Sequence, residues 1–71
     1  MEETQKPKLI LSPISKIIPE GYLKDNTTVE TLILLEGFTE IGKNAFLRCI
    51  NLQRAFLPET LETIGDSAFY S

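Results

Sequence analysis

The chain of 71 residues has room for one small domain, and its 42% hydrophobic and 24% charged content is too apolar for disorder along the whole length. Its net charge of −3, with seven scattered basic residues, argues against nucleic acid as a partner, because phosphate binding requires clustered cations. With no histidine and one cysteine, the chain forms no internal disulfide, and we expect no metal site, no cofactor and no enzymatic activity.

The N-terminal residues are polar, and residues 1–7 are predicted to be a flexible tail. The apolar run that follows, residues 9–11, is far too short for a signal peptide or a membrane span. The chain as given is therefore predicted to be cytoplasmic. A fragment of a longer secreted or cell-surface protein would have the same features.

A repeat of 23 residues organises the remainder of the chain. The motif Ile-Gly-x-x-Ala-Phe occurs at residues 41–46 and again at 64–69, with apolar residues at matching positions before it. Another 23 residues upstream, a degenerate copy keeps Leu9, Leu11 and Ile18 in register. These matches predict one repeat domain over residues 8–71, with units at about 8–28, 29–51 and 52–71.

Each unit follows one pattern of predicted elements. Residues 31–35 alternate as a short strand does, with Leu32 and Leu34 pointing inward. A turn at Glu36-Gly37 follows, and residues 43–48 are predicted to form one helical turn. Like strands of successive units then lie side by side in parallel, about 4.8 Å apart.

The repeated residues resemble the leucine-rich repeat of the BspA type, which occurs in many bacterial and protist surface proteins. The matching positions are 32–34, 38, 41–42, 45–46, 49 and 52 in the middle unit, and 55–58, 61, 64–65 and 68–69 in the last. The resemblance implies an α/β repeat fold, a short leucine-rich-repeat solenoid with parallel strands and short helical turns. It says little about function, because such repeats bind many unrelated partners.

One face of the predicted sheet departs from the pattern of the resembled family. Ile10, Ile33 and Phe56 occupy an outward position that usually carries Thr or Ser, and Leu35 stands where Pro is typical. Arg54 lies at the margin of this face. Contiguous exposed apolar surface commonly marks an interface, so these five residues are the predicted partner-binding set. Two alternatives are that the N-terminal tail covers this face, or that the inward and outward assignment is reversed.

A second outward set comprises Leu47, Ile50 and Tyr70, on the opposite side of the units. Partial burial at the edges of turns is the favoured interpretation of these residues. They are kept as secondary candidates for partner binding.

The last unit stops at Ser71, one residue before the position equivalent to Cys49. The chain is therefore expected to be either a piece of a longer array or a small protein whose open end is covered by a copy of itself or by a target. The leading hypothesis is a non-enzymatic protein-protein binding module, such as a small inhibitor or adaptor. It is expected to form homo-oligomers through an apolar face or the open C-terminal end. The alternative is a structural fragment of a longer repeat-containing surface adhesin.

Overall fold

The computed structural model describes residues 7–70, which form six short strands in two parallel sheets. In chain order the strands are β1 (Lys8–Leu11), β2 (Ile17–Ile18), β3 (Thr31–Leu34), β4 (Glu40–Ile41), β5 (Arg54–Phe56) and β6 (Thr63–Ile64). The first sheet has the order β1-β3-β5 and the second has the order β2-β4-β6. Each 23-residue repeat therefore forms one coil of the chain. A coil contributes one strand to the first sheet and then one strand to the second.

The strand register follows the 23-residue repeat. Leu9 pairs with Leu32, and Leu32 pairs with Ala55, so each partner lies one repeat further along the chain. In the second sheet, Ile41 is the partner of both Ile18 and Ile64. This register stacks chemically similar residues, which is why the period is kept along the described chain.

The hydrophobic core lies between the two sheets and is densest in the middle coil. Leu32 and Ile41 have no exposed surface, and Phe46 is 2% exposed. These side chains are buried because a coil packs against each side of the middle one. Each such burial contributes about 1.5–3 kcal/mol, so the middle coil carries most of the hydrophobic stabilisation.

The segment that follows the second sheet is a series of turns, and no helix is found in residues 7–70. The helical turn expected over residues 43–48 is therefore not confirmed. Asn44 and Arg48 have φ values of 58° and 57°, which a right-handed helix does not accept. The N–H of Phe46 donates to the carbonyl of Ala68 in the next coil, at 2.8 Å. Every second N–H group, those of Asn44, Phe46 and Arg48, thus bonds to the next coil instead of to its own.

The glycines of the repeated motif allow the coils to approach each other closely. A Cβ atom at Gly42 would lie 2.7 Å from the backbone oxygen of Ile18, and one at Gly65 would lie 2.6 Å from the backbone nitrogen of Lys43. Pro19 replaces glycine at the equivalent position of the first coil. No coil within residues 7–70 packs against the outer side of Pro19, so this site tolerates a larger residue.

Most of the predicted N-terminal tail, residues 1–6, lies outside the described residues. Pro7 is described, and its carbonyl accepts backbone hydrogen bonds from Glu30 and Thr31. Residues 7–70 include no helix long and apolar enough to cross a membrane.

Candidate protein-binding surface

The outward side chains of the first sheet form an apolar ladder, consisting of Ile10, Ile33 and Phe56. The register pairs Ile10 with Ile33 and Ile33 with Phe56. Ile10 is 53% exposed and Phe56 is 55% exposed, whereas Leu32, one residue before Ile33, is fully buried. Because successive side chains of a strand point to opposite faces, the core and the apolar ladder occupy the two faces of one sheet.

A basic row borders the apolar ladder, two residues earlier on each strand. It consists of two cations, Lys8 and Arg54, with Thr31 between them, and the three residues are in register across the sheet. Lys8 and Arg54 are exposed. Among residues 7–70 the single salt bridge joins Arg48 to Asp25, so neither cation of the basic row is paired with a carboxylate of this part of the chain.

At the opposite border of the apolar ladder, an apolar residue is followed along the chain by an acidic one. Leu35 follows β3 and is 41% exposed. Glu36 comes next, and its carboxylate accepts a hydrogen bond from the N–H of Glu59 at 3.2 Å. Glu36 and Glu59 are both exposed and stack one above the other, forming an acidic margin. The predicted partner-binding residues thus lie on one face that is basic at one border and acidic at the other.

The secondary candidates do not form one exposed set. Ile50 is 65% exposed and Tyr70 is 67% exposed, but Leu47 is only 9% exposed, so of the three only Leu47 is buried, the outcome favoured for all of them. The carbonyl of Leu47 accepts a hydrogen bond from the N–H of Asp25 on one side, and the next residue, Arg48, donates to the carbonyl of Tyr70 on the other. Leu47 is buried because coils on both sides are bonded to its own turn.

A further apolar surface, the end face, is formed by the last described coil. Leu57 is 41% exposed and Ile64 is 50% exposed, whereas the equivalent residues Leu34 and Ile41 are 3% and 0% exposed. Ala55 is also exposed. These residues are exposed because no coil within residues 7–70 covers their outer side.

A cavity in the first coil is a feature that the sequence analysis missed. Its volume is about 220 Å³, and its lining residues are Leu11, Ser12, Ile14, Ser15, Ile17, Ile18, Pro19, Tyr22 and Phe38. Ile14 is fully exposed at its rim, and Ile17 and Tyr22 are about half exposed. The signal that could have revealed it is the presence of two isoleucines, Ile14 and Ile17, outside the inward positions of the repeat.

Cys49 is a buried thiol, 5% exposed, and its Sγ donates a hydrogen bond to the carbonyl of Leu23 at 3.2 Å. Burial raises the pKa of this thiol, which lowers its thiolate fraction near neutral pH. Within residues 7–70 no group of three or more His, Cys, Asp or Glu side chains is placed to hold a metal ion. The described surfaces therefore offer apolar contact and fixed charge.

Parallel strands in register at a 23-residue period, with similar side chains stacked from coil to coil, define the chain as a leucine-rich-repeat protein. The family model described as "BspA type Leucine rich repeat region (6 copies)" matches residues 4–71, and the chain belongs to this family. The resemblance found in the sequence is thereby confirmed. No curated protein and no solved structure matches the chain.

Proposed function

We propose that the chain is a non-enzymatic protein-binding module that presents the apolar ladder, with Leu35 and Arg54 beside it, to another protein. A small inhibitor or adaptor acts in this way. The observation that supports the proposal is the exposure of about half of Ile10 and Phe56 on a sheet whose other face is the core. Proteins of the BspA-type repeat family commonly serve as interaction modules, which agrees with this role.

The area of the apolar ladder sets the strength of the contact. Covering a fully exposed side chain of this size contributes about 1.5–3 kcal/mol. In the folded chain each ladder side chain exposes about half of its surface or less. The three together therefore contribute roughly 2–4 kcal/mol. A millimolar complex already requires about 4 kcal/mol, so polar contacts at the borders must supply the remainder of a specific interaction.

The proposal is tested by changing single ladder residues and capturing partners by cross-linking in lysate of the source cells. Phe56→Asp and Ile33→Asp place a charge on the ladder, and Ile17→Asp is the control, because Ile17 is 47% exposed on the second sheet. We expect wild type and Ile17→Asp to recover the same proteins and both ladder variants to lose them. Far-UV circular dichroism checks that all variants are folded. Recovery of the same proteins by every variant would contradict the proposal.

The secondary candidates define a competing contact surface. Ile50 and Tyr70 are exposed and lie in or directly after the turns that follow the second sheet. Tyr70→Asp in the same capture experiment separates the two surfaces. If Tyr70→Asp loses the partners and Phe56→Asp retains them, the contact surface is the one that contains Ile50 and Tyr70.

Self-association is a separate proposal, which the end face supports. Ile64 is half exposed at a position that is fully buried one repeat earlier, and a second copy would cover it. The edges of β5 and β6 also carry unpaired backbone groups on this side, and strand edges readily pair with another chain. We expect light scattering to give a dimer mass that Ile64→Asp reduces to the monomer mass. A monomer at all concentrations would contradict this proposal.

The alternative function is a structural segment of a longer repeat-containing surface adhesin. It is favoured by the same end face, because a further repeat in register would bury Leu57 and Ile64 as Leu34 and Ile41 are buried. Surface association is frequent in this family, which supports the alternative. Sequencing of the gene on both sides of the coding segment decides it: additional 23-residue repeats in frame would favour the adhesin.

A further inference from the structure

We infer that the occupant of the apolar ladder is an acidic amphipathic helix, which lies along the ladder with its carboxylates toward the basic row. This inference rests on the proposed function and adds the chemistry of the partner. Three features of the first sheet support it: its pairing, its dimensions and its charge.

The pairing of the sheet excludes addition of a strand at the ladder. The central strand β3 is hydrogen-bonded to β1 on one side and to β5 on the other, so its backbone groups are already used. A segment lying across the ladder therefore receives no backbone hydrogen bonds from β3. A helix satisfies its own backbone groups, whereas an extended segment in this position would not.

The spacing of the ladder matches one face of a helix. Ile10, Ile33 and Phe56 stand on neighbouring strands, which lie about 4.8 Å apart. Helix neighbours at i, i+3 and i, i+4 are about 5–6 Å apart, whereas side chains on one face of an extended chain recur every 6.6–6.8 Å or so. The helix is the closer fit to the ladder.

The extent of the sheet also favours a helix over a second copy of the chain. Three strands of up to four residues span about 13 Å by 14 Å, an area below roughly 200 Å². A stable interface between two proteins buries about 800 Å² on each partner. A length of 14 Å accommodates about nine residues of helix, at about 1.5 Å per residue.

Charge decides which helix fits. Lys8 and Arg54 are exposed and form no ion pair with another residue of 7–70, and they border the ladder although the chain as a whole carries a net charge of −3. The acidic margin begins at Glu36, beyond the end of β3, whose residues from Thr31 to Leu34 alone span about 10 Å. This distance exceeds the Debye length of about 8 Å at physiological salt, so the acidic margin does not cancel the attraction at the basic row.

The two unequal borders also orient the helix. Carboxylates on its flank face Lys8 and Arg54, and the other flank faces Leu35 and then the carboxylates of Glu36 and Glu59. A helix with acidic residues on one flank only therefore binds in the orientation that turns this flank toward the basic row. A helix with basic residues on the flank toward Arg54 and Lys8 would be repelled.

The probe is a phage-displayed library of 16-residue helical peptides that have one fixed apolar stripe and random residues on both flanks. Peptides that bind the wild-type chain are selected, and those that also bind the Ile33→Asp variant are removed. We expect the selected peptides to carry Asp or Glu on one flank and to be helical by circular dichroism. Their affinity should fall at least tenfold for Arg54→Glu and further for Lys8→Glu with Arg54→Glu. It should also fall as salt is raised.

The matched control is Lys16→Glu, which makes the same change of charge just before β2, in the second sheet. It should leave the affinity of the selected peptides unchanged. Selection of basic, neutral or non-helical peptides, or equal binding to Arg54→Glu, would overturn the inference while leaving the ladder as a binding face. A ladder covered by a second copy, seen as a dimer that Ile33→Asp dissociates, would also overturn it. If no peptide prefers wild type over Ile33→Asp, the inference fails, and the capture experiment with Phe56→Asp and Ile33→Asp decides the proposed function separately.

Discussion

The rings of Phe46 and Phe69 are stacked, with centroids 5.2 Å apart and an angle of 14° between their planes. The two residues are one repeat apart, so this pair links the middle coil to the last. Phe46 is 2% exposed because it is covered from both sides, whereas Phe69 is only half-buried. The same repeat position therefore has a different energetic weight in the two coils.

Replacing Phe46 by Ala is expected to unfold the chain. Removal of a buried Phe costs about 3–5 kcal/mol, and a domain of this size has about 3–5 kcal/mol of stability in total. Phe69→Ala should cost less, because half-buried side chains lose less contact. Urea titration followed by circular dichroism measures both, with the exposed Tyr70→Ala as control. Equal losses for Phe46→Ala and Phe69→Ala would contradict the unequal burial.

Alanine at Gly42 should destabilise the fold by about 1–3 kcal/mol or more, because a Cβ there overlaps the backbone of the preceding coil. Gly21→Asn is the contrasting variant. Gly21 has a φ of 67° with nothing within 4 Å of its Cβ position, and Asn44 holds the equivalent position at 58°. Thermal melts should show a lower midpoint for Gly42→Ala and little change for Gly21→Asn. A neutral Gly42→Ala would show that the coils are not in close contact at this site.

The ion pair between Asp25 and Arg48 makes a small contribution that depends on pH. A hydrogen bond and the charge of Arg48 lower the pKa of Asp25 below its ordinary value of 3.8. A lowered folded pKa gives stability that is present above the unfolded pKa and is lost as the pH falls through the folded value. Asp25→Asn keeps a residue that tolerates the φ of 66° and removes the charge.

The stability difference between wild type and Asp25→Asn should therefore be constant from about pH 5 to 8 and should shrink below about pH 4. Both side chains are about half exposed, so the difference should be small and should fall with salt. Urea titrations at several pH values measure it. A difference that grows on acidification would contradict the lowered pKa.

Cys49 should react slowly with a thiol reagent in the folded chain. Burial removes access and raises the pKa of the thiol, so reaction proceeds through opening of the fold. A stability of about 3 kcal/mol corresponds to protection of about 100-fold relative to the chain in urea. Kinetics with a chromogenic disulfide reagent at neutral pH measure this ratio.

Cys49→Ser serves as the blank for this reaction and should remain folded. Its hydroxyl is able to donate a hydrogen bond to the carbonyl of Leu23, as the thiol does. Rapid reaction of wild-type Cys49 without denaturant would contradict its burial in the core.

Several parts of the fold could be predicted from the residues because they depend on period and alternation. The match of residues 41–46 to 64–69 predicted the register, and the period-two pattern of β3 predicted which of its side chains face the core. The turns could not be predicted in the same way. Residues 43–48 have helical spacing, but Asn44 and Arg48 adopt positive φ. The N–H groups of Asn44, Phe46 and Arg48 bond to the neighbouring coil.

Burial of the turn residues likewise depended on neighbours. Leu47 and Tyr70 are one repeat apart, yet Leu47 is 9% exposed and Tyr70 is 67% exposed. Their local sequence patterns did not distinguish them, because the difference arises from the coils packed on each side. The cavity beside Ile14 was missed for a related reason, since a bend between β1 and β2 moves that residue away from the repeat positions.

The sequence by itself determined the 23-residue period, the family and the stacking of Ile10, Ile33 and Phe56, because a parallel register copies the spacing of the chain. The tertiary structure alone decided how exposed each repeated residue is. Leu34 and Leu57 are one repeat apart and chemically identical, yet one is 3% and the other 41% exposed. Exposure depends on which coils lie alongside, and no local pattern encodes that.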